Sequence, residues 1–146
     1  MSWQVKFDDE HRVIFLYYGA DISKKDIRES IVAVVEIIRD KDVRKILTDF
    51  TECLSLSLST FDIYQLPTEY KTAGLNVSVT EAIVAPQDPK ILNDIKFYET
   101  VFLNRGVRVQ IFEDREKALE WLINRKSLLS ILRNDRERFS RISALR

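Results

Sequence analysis

The sequence predicts an α/β fold, a single sandwich on a central mixed sheet of about five strands. An N-terminal antiparallel hairpin leads, and alternating helices and strands follow. Three observations carry this expectation. Two short runs near the N-terminus alternate apolar and polar residues. Apolar positions then recur at helical spacing behind good helix caps. Between the helical stretches lie short apolar runs that read as buried strands.

Trp3-Gln4-Val5-Lys6-Phe7 alternates, as does part of Arg12 to Tyr18, and Asp8-Asp9-Glu10-His11 reads as the turn between them. Ser23 is a good N-cap. Asp26, three positions on, completes a capping box and favours the positive end of the helix dipole. Ile27, Ile31, Val34 and Ile38 give this helix one buried face, and Asp40-Lys41-Asp42 breaks the pattern. Arg44 to Phe50 reads as a buried strand. Phe61 to Tyr70 has a helical pattern but contains Pro67, which predicts a kink or two short helices, stopped by Gly74. Thr80 to Ala85 is a strand ended by Pro86. Asp88 caps the next helix, with Pro89 at its first position and Ile91, Ile95, Tyr98 and Phe102 on its apolar face. Gly106 lies just beyond its end. Val107 to Phe112 is the last strand, and Arg115 to Ile123 a helix. Strands alternating with helices argue for parallel pairs joined by right-handed crossovers.

The segment Cys53 to Thr60, CLSLSLST, needs its own argument. A continuous strand from Lys45 through Ser59 would extend about 50 Å at ~3.3 Å per residue. The domain should have a radius of gyration near ~15 Å, so that strand must break. Asp49 to Cys53 is the expected break, because Asp and Thr bond locally to the backbone at a strand end. Leu54, Leu56 and Leu58 then alternate inward, and Ser59 caps the following helix with Asp62 completing a capping box. One reading is structural, with Ser55 and Ser57 facing water. The other is a phosphorylation switch, because a helix N-terminus favours an added phosphate. Asp49, Glu52 and Asp62 lie close in sequence and would repel that dianion.

Composition bounds the rest. The 146 residues suit one domain; 45% are hydrophobic and 32% charged, as in an ordinary globular chain. A formal net charge of +0 gives no global footprint for nucleic acid. Cys53 is the single cysteine and His11 the single histidine, which excludes a multi-thiolate zinc site and any multi-histidine metal site. Three widely separated glycines form no phosphate-binding loop, and Cys53 and His11 carry no local signature of a nucleophile–base pair. No catalytic residue, metal or cofactor is expected. The N-terminus has no secretory pattern and no apolar run reaches the ~18–20 residues of a membrane span, so a cytoplasmic protein is expected.

Residues 1–124 read as the domain and residues 125–146 as a basic amphipathic extension. The extension holds seven basic and two acidic residues, a net +5, leaving −5 on the remainder. Leu128, Leu132, Phe139, Ile142 and Leu145 fall near one helical face. Packing on the acidic body, exchange between the subunits of a homodimer, and contact with an anionic surface are the three readings. Phe61, Tyr64, Tyr70, Phe97, Tyr98 and Phe102 come from two helical stretches flanking one strand. They are either core or the lining of a pocket for a small apolar ligand.

Three stretches in this order, KILTDFTE (Lys45 to Glu52), EAIVAPQDP (Glu81 to Pro89) and VRVQIFEDREKALEWL (Val107 to Leu122), resemble the SpoIIAA-like family. Its domains are related to the STAS domains of anti-sigma-factor antagonists, and its fold also resembles the lipid-carrying CRAL-TRIO domains. The resemblance covers about residues 1–124. It implies helices packed on a central sheet and a non-enzymatic role in binding or regulation. Phosphorylatable STAS antagonists carry Asp-Ser-Ser-Gly at the start of the helix after the Asp-ended strand. Counted from Asp49, that position reads Ser57-Leu58-Ser59-Thr60 here, so the acceptor serine falls on Leu58 and the glycine is missing. Asp49, Thr51, Ser57, Ser59 and Thr60 are the candidate switch or interaction residues. The expected function is a non-catalytic regulatory or protein-interaction module with a protein partner. A carrier of a small hydrophobic or lipid-like ligand is the alternative.

Overall fold

The structure of the chain, a computed structural model, describes residues 2–123. The expected helix over 125–146 lies outside them. The N-terminal hairpin forms as expected, β1 (Trp3–Asp8) pairing antiparallel with β2 (Val13–Tyr18). Its turn is held by the Asp8 carboxylate, which accepts from the Glu10 amide at 3.0 Å and meets His11 Nδ1 at 2.8 Å. After β3 (Asp21–Ile22) comes α1 (Lys24–Lys41). Its start is fixed by the full Ser23–Asp26 capping box, and Ile27, Ile31, Val34, Val35 and Ile38 are buried.

β4 (Lys45–Asp49) ends where a break was expected. β5 (Ser55–Leu56) follows, then α2 (Thr60–Tyr64) and α3 (Leu66–Thr72). Pro67 sits in the first turn of α3, so the helical stretch divides into two at Gln65. β6 (Thr80–Val84), α4 (Pro89–Asn104), β7 (Arg108–Phe112) and α5 (Arg115–Leu122) complete the described chain. Gly74 and Gly106 end α3 and α4 at φ 108° and 80°, a region that favours glycine.

The sheet order is β1-β2-β4-β6-β7, antiparallel only at its first pair. Side-chain alternation divides it into two faces. Ile14, Leu16, Ile46, Ile83 and Val109 point into the main core with α1, α3 and α4. Val13, Leu47, Ala82 and Val84 point the other way and pack on Ala118 and Leu122 of α5.

One element departs from expectation. β3 and β5 form a separate two-stranded parallel ladder, so CLSLSLST is tied to residues 20–22 rather than left as a simple approach to a helix. The inward alternation of its leucines begins late. Cys53 is buried, Leu54 is 70% exposed, and only Leu56 and Leu58 are partly buried. The amides of Leu54 and Ser55 both donate to the Ala20 carbonyl, at 2.8 and 2.9 Å. That irregularity shifts the strand by one residue and exchanges its two faces.

Candidate functional site

The segment from Phe50 to Tyr64 is built from local bonds. Asp49 accepts from the Thr51 amide at 2.8 Å and from its hydroxyl at 2.7 Å, shaping the turn after β4. Asp49 also meets Arg115 of α5 at 3.8 Å, while the Tyr17 hydroxyl donates to Glu52. Asp49 and Thr51 therefore belong to the turn and to the α5 face of the sheet. Ser57 donates its amide to the Ile22 carbonyl, leaving its side chain exposed. Ser59 is the N-cap of α2, its hydroxyl accepting from the Asp62 amide at 3.0 Å. Lys24 at 2.8 Å, together with the Ser59 amide, holds the Asp62 carboxyl down at about 2. Ser57, Ser59 and Thr60 are thus exposed on one short run.

The same run carries apolar side chains into solvent. Leu54, Phe61 and Tyr64 are 70%, 68% and 49% exposed. Arg105, beyond the end of α4, stacks over the Tyr64 ring at 5.7 Å. Among the six aromatic residues proposed as a pocket lining, Phe61 and Tyr64 lie at this surface. Tyr70 and Phe102 are buried and meet edge to face at 5.8 Å, and Tyr98 packs on Phe102 at 4.3 Å. Phe97 is half-buried against the main core.

Beneath the run is a small cavity of about 30 Å³ between the sheet, α1, α3 and α4. Tyr70 and Tyr98 line it; the other four aromatic residues do not. Its floor holds a carboxyl that sequence reasoning missed. Glu81 of β6 is 4% exposed, accepts from Thr48 Oγ1 at 2.5 Å on one oxygen, and accepts from the Tyr98 hydroxyl at 2.5 Å on the other. Burial raises its pKa, against the pull of these two hydrogen bonds. Burial, followed by the field of Glu81, pushes the Tyr70 and Tyr98 hydroxyls well up. The signal that would have found Glu81 is a charged residue inside the apolar run Glu81-Ala82-Ile83-Val84, on the same face as Ile83.

Cys53 and His11 lie beyond opposite ends of β2. The Cys53 thiol faces the Ser55 carbonyl at 3.5 Å, and His11 is engaged by Asp8. Asp8, Glu10 and His11 place three ligand-type atoms within 4.8 Å of one another on the hairpin turn. Among the described residues, no helix is long and apolar enough to cross a membrane.

No protein-family model matches the sequence, and no curated protein matches it. Solved structures do. An uncharacterised protein from Shewanella loihica PV-4 with a SpoIIAA-like fold superposes with a TM-score of 0.53 at 18% identity, over 82% of this chain and 91% of that one. The anti-sigma factor antagonist SpoIIAA, in its unphosphorylated form, gives a TM-score of 0.51 at 13% identity, over 81% of this chain and 94% of that one. The chain has a SpoIIAA-like fold. Within the SpoIIAA-like domain, the stretch aligned by count with the phosphate-acceptor motif is the approach to α2. Leu58 there is partly buried, Ser59 caps the helix and Thr60 is its first residue.

Proposed function

We propose that this SpoIIAA-like domain is a non-catalytic regulatory module that binds a partner protein through the face running from Glu52 to Tyr64. The observation that carries the reading is the exposure of Leu54, Phe61 and Tyr64 on one short run, beside the exposed Ser57 and Thr60. Covering each large apolar side chain would contribute about 1.5–3 kcal/mol, enough for a few of them to dominate an interface. The run is also anchored at both ends, by the ladder to β3 and by the capping box of α2. It therefore presents these side chains at little ordering cost. The likeness to an anti-sigma factor antagonist supports a regulatory role through its fold alone. A lipid-like ligand between the helices is less favoured, because the enclosed space is about 30 Å³, room for one or two water-sized groups.

The test is to cross-link the full chain to its partner in its own cells, identify that protein, and titrate the purified pair. Leu54→Asp combined with Phe61→Asp should weaken the affinity at least about tenfold with an unchanged melting temperature. A partner that binds the double variant as tightly as the unaltered chain refutes this face.

A further inference from the structure

The small cavity over Glu81 has a donor–acceptor balance that packing does not require. Ser30 Oγ donates its one hydrogen to the Ile27 carbonyl at 2.7 Å, so at the 2.5 Å contact with Tyr18 it is the tyrosine that donates. Thr48 and Tyr98 likewise direct their hydrogens to Glu81. Tyr18, Thr48 and Tyr98 are therefore committed as donors and the ionised Glu81 only accepts, so these four offer a newcomer lone pairs, while the Tyr70 hydroxyl on the same wall still has a hydrogen to give. Aromatic rings of Tyr18, Phe50, Tyr70 and Tyr98 complete the wall. Among the described residues no Lys, Arg or His lines it. A buried carboxyl with no cationic partner, enclosed by aromatic rings, is the arrangement that receives an organic cation.

The cavity also continues outward. Leu56, Leu58 and Asp94 line both it and a shallow groove of about 420 Å³ between β5 and the start of α4, where Leu54 and Ile91 add apolar surface. The enclosed part suits a head group the size of water or ammonium, and Leu54, Leu56, Leu58 and Ile91 give a short apolar body something to lie on in a groove otherwise lined by polar side chains. We propose that this cavity and groove bind a protonated organic amine, its ammonium group paired with Glu81 and its apolar body lying along Leu54, Leu56 and Leu58. On the path inward Asp88 and Asp94 line the groove together with one cation, Lys90, so its charged lining is acidic by one group. Occupancy would bear directly on the run that carries the proposed docking face, because Leu56 and Leu58 belong to both. The ligand site nevertheless stands or falls without a partner protein, since its test uses the purified chain alone.

Three probes of equal chain length separate charge from hydrophobicity: n-hexylammonium, 1-hexanol and hexanoate, each titrated calorimetrically into the full chain at neutral pH. Hexylammonium should bind at least about tenfold tighter than hexanol, and hexanoate not at all. Glu81→Gln should lower the hexylammonium affinity about tenfold and leave hexanol unchanged. Any result in which hexylammonium is not the tightest probe, or in which the glutamine variant binds it as well as the unaltered chain, overturns the assignment. Should the variant not fold, the three-probe comparison on the unaltered chain decides alone.

Discussion

Glu81 sits between Ile46 of β4 and Val109 of β7 on the core face of the sheet, and this has a consequence for stability. Its ordinary value is 4.5, and burial raises it in the folded chain. As pH climbs past 4.5 the unfolded chain loses this proton first, while the folded chain still holds it. Over that window the folded state binds more protons, so stability falls as pH rises, until the folded group also ionises. Glutamine keeps an oxygen for Tyr98 and a nitrogen for Thr48 but has no charge to bury. Glu81→Gln is therefore expected to raise the melting temperature at pH 7–8 by a few degrees or so. The gain should shrink toward pH 4, as followed by circular dichroism across that range. A carboxyl that weakens its own fold is the kind of group retained for a binding role. The sequence offers only the oddity of a charge inside the run Glu81-Ala82-Ile83-Val84; its partners were illegible, since Thr48 and Tyr98 reach Glu81 across 33 and 17 positions. The caps at Ser23, Ser59 and Asp88 were legible, because each bonds within three residues.

At the scale of elements, α2 is the most exposed dependent of a single cap. It has five residues, buries only Ile63, and starts on the Ser59–Asp62 box. Ser59→Ala should cost about 1 kcal/mol, read as a lower urea midpoint with an unchanged slope. The split of the helical stretch into α2 and α3 followed from Pro67, a local constraint on φ. The β3–β5 ladder was illegible for the opposite reason. Two residues against two give no alternation to detect, and their pairing depends on where α1 and β4 bring the ends together. The outward turn of Leu54 follows from that ladder, which is why an inward Leu54 was expected and an exposed one found. That exposure makes Leu54 available to a partner.

For the whole molecule, the alternation of strands and helices was enough to predict a mixed sheet of about five strands with parallel pairs behind an antiparallel hairpin, while the strand order came from the structure. The likeness to SpoIIAA at 13% identity shows how much sequence this architecture tolerates. Function is less legible at this scale. The features that suggest it are exposed Leu54, Phe61 and Tyr64 on the outside and the carboxyl of Glu81 on the inside, and both arise from tertiary placement. The proposed function places the partner on the Glu52–Tyr64 run. Hydrogen–deuterium exchange of the purified complex against the free chain tests it most directly. Slowed exchange is expected to concentrate on residues 52–64, with β1 and α5 unchanged. Protection confined to β1, β2 or α5, with residues 52–64 exchanging as in the free chain, would contradict it.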